Sequence, residues 1–281
     1  MYDRIENINN SFIQHGKYNN RIYLMKMDQN DYPEIIKELE KLAFQESYTK
    51  IFAKTPEWLA EGFEEERYIQ EAEIPGFFKG SEKAVFLSKF LDNKRSNLSE
   101  AESEKIETIL DLADEKRSPV IAINKNPEYY VCRLQHKDIN KLSALYAKVF
   151  KSYPFPIFEK DYLKKTMDEN IQYYGIYYKN KLIAASSAEM DIEMKNAEMT
   201  DFATDPEFAG NSLSLILLRK MEEEMMRKEM KVLYTIARSF SPGMNITFAK
   251  QDYEFSGTLI NNTNIFGKIE SMNVWYKIIS N

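Results

Sequence analysis

The sequence predicts a mixed α/β fold built as two unequal halves. Three observations carry that prediction. Strand-like and helix-like stretches alternate along the chain, as in layered α/β architectures. The length of 281 residues exceeds one typical domain of about 100–200 residues. The order of elements in residues 1–95 repeats, in outline, that of the closing part of the chain.

In the first half, Arg21–Met27 reads as a strand. Asp31–Gln45 follows as an amphipathic helix with Ile35, Ile36, Leu39 and Leu42 on one face. Tyr48–Lys54 is the next strand, a helix starts at Pro56, and Tyr68–Ile74 and Ala84–Leu91 are the last two strands. Residues 96–128 read as a helical connector. Ser99-Glu100-Ala101-Glu102 fits a capping box that opens a charged helix running to about Glu115. Ser118-Pro119 ends it, and its charges mark a solvated face.

The second half, residues 129–281, opens with a strand at Tyr129–Leu134 and an amphipathic helix over Lys137–Lys151. Pro154 and Pro156 break the chain before a short helix at Phe158–Asp168. Ile171–Tyr178 and Lys181–Asp191 form a hairpin that turns at Lys179-Asn180. Ala197–Thr204 is a strand, and a long helix runs from about Ser212 to Glu229. Val232–Arg238 is closed by Ser241-Pro242-Gly243. A shorter helix and two strands, about Tyr253–Ile260 and Lys268–Ile279, end the chain.

Composition narrows the chemistry. The formal charge is −6, from 38 basic and 44 acidic residues. That weighs against nucleic acid or an anionic membrane as partner and leaves small cationic ligands open. One cysteine and two histidines, His15 and His136, exclude a disulfide framework and a multi-thiolate or histidine metal site. No apolar stretch has the length of a membrane span, and the N-terminus has no signal-like apolar core, so a cytoplasmic protein is expected.

The most informative stretch is Ala197–Met221, AEMTDFATDPEFAGNSLSLILLRKM. A strand enters a turn of small residues and passes straight into a long helix. The N–H groups at such a helix start are unpaired and sit at the positive end of the dipole, a setting that holds phosphate without a metal. Spacing alone favours an ordinary strand-to-helix turn.

These residues resemble the acetyl-CoA-binding segment of the GNAT N-acetyltransferases. Asp205–Phe208 matches the family's lead-in, while Ala209 stands where Arg or Gln is usual and Ser212 and Ser214 where Gly or Ala is usual. The resemblance spans residues 129–281, whose element order agrees with the family. Met199–Thr204, Ser241–Asn245, Asn261–Thr263 and Glu270–Lys277 are similar to the β-lysine N6-acetyltransferase subgroup. The resemblance implies a mixed, mostly antiparallel sheet flanked by helices, preceded by a partial GNAT-like domain at residues 1–95. It also implies acetyl transfer from acetyl-CoA to the terminal amine of β-lysine, giving the compatible solute N6-acetyl-β-lysine.

Residue roles follow from the same resemblance. The backbone of Phe202, Ala203 and Thr204 would hold the pantetheine and thioester. The turn from Ala209 through Gly210, Asn211, Ser212 and Leu213 to Ser214 would take the pyrophosphate, with Asn245 as a pantetheine contact. Glu198 matches a general-base position, with Glu270 as the alternative. Strand alternation puts Asp201 on the opposite face from Glu198 unless a bulge intervenes. Phe248 stands where the family often has an acid tyrosine, leaving Tyr253, Tyr276 or water for that part. Asp201 and Glu270 would meet substrate ammonium groups, Arg238 its carboxylate, and Asn261 and Asn262 its polar atoms.

The first half has Met27-Asp28-Gln29-Asn30-Asp31 where a phosphate turn would sit, and these acids would repel pyrophosphate. It is expected to complete a sheet, shape the substrate pocket or form a homodimer surface. Two other functions stay open: acetylation of another small amine such as lysine or a polyamine, and a non-catalytic acyl-CoA-binding or interaction module.

Overall fold

The computed structural model describes residues 2–117, 126–265 and 267–279. The first half forms β1 (Arg4–Ile8), β2 (Ser11–Gly16), β3 (Arg21–Lys26), α1 (Glu34–Gln45), β4 (Lys50–Pro56), α2 (Ala60–Glu65), β5 (Ile69–Phe78) and β6 (Glu82–Phe90). The connector carries α3 (Asn93–Ser96) and α4 (Glu100–Glu115). The second half begins with β7 (Tyr130–Arg133), α5 (Ile139–Val149), α6 (Lys160–Asp168), β8 (Ile171–Tyr178) and β9 (Lys181–Asp191). It continues with β10 (Asn196–Thr204), α7 (Leu213–Arg227), β11 (Val232–Arg238), α8 (Pro242–Ala249), β12 (Glu254–Ile265) and β13 (Lys268–Ile278).

The strands make a six-stranded sheet, β1-β2-β3-β4-β6-β5, and a seven-stranded sheet, β7-β8-β9-β10-β11-β13-β12. Without β7, the two orders correspond strand for strand. The directions correspond as well. Each sheet has one parallel pair, β3–β4 and β10–β11, among antiparallel neighbours. Each ends in a hairpin that turns on a left-handed glycine, Gly80 at φ +80° and Gly267 at φ +82°.

The correspondence is wider than the sequence suggests, because β1 and β2 carry little apolar pattern. β1 is a short, largely polar edge strand, RIENI. β2 buries Ser11, Gln14 and His15, with Ile13 as its one buried apolar side chain. His15 is held by the Tyr48 hydroxyl at 2.9 Å and Glu6 at 2.7 Å, so it is a packed structural residue.

In the connector, Ser99 and Glu102 form the expected capping box. α4 is solvated on one side only, since Ile106, Ile109 and Ala113 are buried and Ala113 joins the core of the second half. Ser118-Pro119, expected to end this helix, lie outside the described residues.

α1 and α2 cover one face of the first sheet. The other face packs on the second half. Phe52, Ile74, Phe77 and Phe86 share a core with Tyr234, Leu259, Met272 and Val274, each large side chain contributing about 1.5–3 kcal/mol by burial. At Gly257 a Cβ would lie 2.1 Å from the Glu71 carbonyl oxygen, so β12 approaches β5 only because that position lacks a side chain.

A buried ion pair locks this contact. Lys50 Nζ lies 2.9 Å from Glu71 Oε2 and donates to the Ile260 carbonyl at 2.7 Å, while the Ile260 N–H donates to Glu71 Oε1 at 2.7 Å. Both backbone polar groups of one β12 residue, Ile260, are thus held by side chains of the first sheet.

Candidate active site

The site grows from the divergence of β10 and β11. They pair in parallel only from Asn196–Val232 to Glu198–Tyr234. Beyond that point the β11-facing edge of β10, over Met199–Thr204, has no strand partner, while Ala203 and Thr204 stay in register with β9 on the other side. Such an edge offers backbone N–H and C=O groups to an extended ligand.

β10 also bulges. Its register with β9 shifts between Thr200 and Ala203, and Asp201 adopts φ +55°. A bulge re-aims side chains. Asp201 therefore lines the same cavity as Glu198, which overturns the alternation-based expectation that the two face opposite ways.

After β10, Asp205 caps a turn by accepting from the Glu207 N–H. The chain then runs through exposed Ala209, Gly210, Asn211 and Ser212 into α7. Gly210 sits at φ +80°, with nothing within 4 Å of where a Cβ would project. Ser212, at φ +55°, makes no side-chain cap on the helix. The first N–H groups of α7 are left for an outside acceptor. The Leu213 side chain is buried, so only its backbone belongs to this turn.

A cavity of about 1070 Å³ lies between the two halves and is lined by both. On the β9–β10 side it holds four carboxylates, Glu189, Asp191, Glu198 and Asp201. Glu198 stands directly across the ladder from Glu189. Asp201 accepts from Ser187 Oγ at 2.6 Å and from the Tyr153 hydroxyl. The first sheet contributes Lys54, whose Nζ is 3.5 Å from the Tyr234 hydroxyl and 5.0 Å from the centre of the Phe77 ring.

Burial pushes the Glu198 carboxyl up to about 8, and the Glu189 charge adds to that rise. Lys54 opposes it without cancelling it. Glu189 and Asp201 are also raised, in each case chiefly by burial. The arrangement favours a proton acceptor that works near neutral pH and a pocket that attracts cations.

Residues 139–242 match the model of the acetyltransferase (GNAT) family. Over 282 aligned residues the chain is 41% identical to a β-lysine N(6)-acetyltransferase of Methanococcus maripaludis, covering 98% of this chain and 99% of that protein. It is 30% identical to the N-acetyltransferase YodP of Bacillus subtilis, covering 94% of each. A β-lysine N(6)-acetyltransferase of Methanosarcina mazei matches at 34% identity over 54% of this chain and 57% of that protein.

The chain belongs to the GNAT acetyltransferase family. It is an acetyltransferase that uses acetyl-CoA as co-substrate. The sequence resemblance puts that molecule at the diverging β10–β11 pair and the open N-terminus of α7, and the residues present fit it. The groove is open, and the turn has no side chain at Gly210 and no acidic residue from Ala209 to Ser214.

Several expected site residues are used elsewhere. Asn245 is buried and saturated. Its Nδ2 donates to the Arg238 and Ser241 carbonyls, and its Oδ1 accepts from Asn273 Nδ2 and Trp275 Nε1. With all four hydrogen-bonding positions taken, it organises α8 and β13 and leaves nothing for pantetheine. Asn261 donates to the Arg95 and Asn97 carbonyls, so it ties β12 to the connector rather than meeting substrate.

Arg238 and Glu270 satisfy each other through two bonds of 2.9 Å, so they do not face a substrate carboxylate and ammonium separately. Tyr253 is buried edge-on behind Phe248, and Phe248 lines the cavity in its place. Burial and the Glu222 carboxylate push the Tyr253 phenol well above its ordinary value. Tyr276 donates to Glu254. Neither phenol lines the cavity, so the acid assignment to Tyr253 is corrected.

Glu198, Asp201, Phe202, Asn262 and, although paired with Glu270, Arg238 do line it. Sequence reasoning missed Glu189, Lys54, Tyr153 and Tyr234. Only Glu189 left a signal, since the short turn between Asp191 and Asn196 sets it across from Glu198. The others depend on how the two halves pack. Among the described residues no group of three or more His, Cys, Asp or Glu side chains is placed to hold a metal ion. No helix among them is long and apolar enough to cross a membrane.

Proposed function

We propose that the enzyme acetylates the terminal (N6) amine of β-lysine and that Glu198 is its general base. The observation that carries this reading is the carboxylate cluster at the β10–β11 divergence, in a chain similar over nearly its full length to a β-lysine N(6)-acetyltransferase. β-Lysine arrives with two ammonium groups. Glu189 and Asp201 draw them into the cavity, and Glu198 takes the proton that must leave N6 before it can attack a carbonyl carbon. The free edge of β10 holds the pantetheine arm, and the N–H groups of Gly210–Ser214 hold the pyrophosphate. Acetyl-CoA supplies the activated acetyl group, whose thioester C–S bond breaks as the amide C–N bond forms. This route uses no metal, and water protonates the departing thiolate.

The product has one cation fewer than the substrate and is a net-neutral zwitterion, the charge state that suits a compatible solute. We place the reaction in the cytoplasm, where the single thiol, Cys132, stays free. We also read residues 1–95 as a degenerate copy of the GNAT unit at 129–281. At the turn equivalent to the phosphate cradle, Asp28 caps the Asn30 N–H and buried Asp31 accepts from Ser11 Oγ at 2.6 Å. Those acids give the copy a structural turn in place of an anion site.

The test is a thiol-release assay with acetyl-CoA against β-lysine, lysine and spermidine, with the product located by NMR. β-Lysine acetylated at N6 with the highest kcat/KM is expected. A higher kcat/KM on lysine or spermidine, or acetylation at the β-amine, refutes the reading.

A further inference from the structure

At the wall of the cavity where β12 meets the first sheet, three buried polar atoms have no hydrogen-bond partner among the described residues: Gln14 Nε2, Arg21 Nε and Asn262 Oδ1. Their residues are 2%, 5% and 1% exposed, and all three line the cavity. Leaving such groups unpaired destabilises the fold, so their clustering at one cavity wall points to a ligand.

The Arg21 guanidinium is fixed in place by two bonds from Nη1, to the Asn262 carbonyl at 2.6 Å and to Thr263 Oγ1 at 3.3 Å. Neither bond neutralises it. The carboxylates nearest in effect are committed elsewhere. Asp3 accepts from the Tyr18 N–H and Asn19 Nδ2, and Glu71 pairs with Lys50.

β-Strand alternation links this corner to the carboxylate cluster. Arg21 and Tyr23 follow each other on one face of β3, roughly 6.6 Å apart, and Gln14 stands directly across from Tyr23 on β2. The Tyr23 ring stacks on Phe52, and Arg21, Tyr23, Lys54 and Glu198 all line the one cavity. A short aliphatic chain laid along Tyr23 would run between Glu198 and Arg21.

We propose that Arg21, Gln14 and Asn262 form the pocket for the far end of the acceptor, which makes the first sheet the specificity element of the enzyme. Arg21 Nε and Gln14 Nε2 donate to the substrate carboxylate, and Asn262 Oδ1 accepts from the β-ammonium group. This rests on β-lysine being the acceptor. It relocates carboxylate recognition from Arg238 to the other half of the chain.

The experiment compares kcat/KM for β-lysine with that for pentane-1,4-diamine, the same skeleton without the carboxylate. Arg21→Leu is expected to lower the ratio by about 10–100-fold. Gln14→Glu, which sets a carboxylate against the carboxylate, is expected to reverse the preference. 3-Aminobutanoate, which has the substrate's carboxylate and β-amine but no N6 arm, is expected to compete with β-lysine on the wild-type enzyme. A ratio unchanged in both variants, or no competition by 3-aminobutanoate, overturns the pocket while leaving the β-lysine reading intact. A wild-type enzyme that prefers the diamine overturns both.

Discussion

Glu198, the proposed base, sits where its surroundings disfavour its charge. Buried and facing Glu189, it titrates near 8 rather than at its ordinary 4.5. As a base it must be ionised, so kcat/KM on an amine should climb along an acid limb that levels off above about pH 8. Glu198→Gln should remove that limb and lower kcat/KM by ~10²–10⁴-fold; a retained limb would assign the proton to another group. The same shift has an opposite effect on stability. The folded state keeps a proton that the unfolded chain releases, so stability falls as pH rises from 4.5 towards 8 and is level beyond. Thermal melts of ligand-free Glu198→Gln should therefore exceed the wild type at pH 8, with the gap closing near pH 4.5. Catalytic readiness and a stability deficit come from one carboxyl group.

At the scale of the element, the α7 turn sets ligand binding against helix stability. Its N–H groups are uncapped and Ser212 already sits in the left-handed region, which Asp tolerates. Ser212→Asp should cap the helix and add about 0.3–1 kcal/mol of stability. It should also repel pyrophosphate. Melting temperature and the KM for acetyl-CoA should rise together; a higher melting temperature with an unchanged KM would mean that the phosphates bind elsewhere. Elements of this kind were legible in the sequence. The small residues after Thr204 and the capping box at Ser99 leave local signals. What stayed illegible is set by contacts distant along the chain. β2 buries Ser11 and His15, which find their partners, Asp31 and Tyr48, only after folding. The β10 bulge turns Asp201 into the cavity against simple alternation. Asn245 reads as a ligand contact until Asn273 and Trp275 are seen to exhaust its Oδ1.

Across the whole molecule, two sheets of like topology divide the labour. One holds the diverging strands and the proposed base, and the other supplies a wall of the cavity. Their union depends on the Lys50–Glu71 pair and the Ile260 backbone it grips. Lys50→Met leaves Glu71 buried without its cation and should cost about 3–5 kcal/mol, seen as an earlier midpoint in urea melts. One shared transition is expected for probes in both halves, because the core between them is continuous; separate transitions would show two independent bodies. This grip also has a history in time. Ile260 follows Glu71 by 189 residues, and Asn262 follows Arg21 by 241. During synthesis the first sheet is finished long before β12 leaves the ribosome, so Lys50, Glu71 and Arg21 remain hydrated through most of translation. A nascent chain that already carries Glu198 and the α7 turn still lacks the closing wall. The enzyme becomes competent only with its last hairpin, so a truncated product is expected to be inactive even with its base and phosphate turn complete.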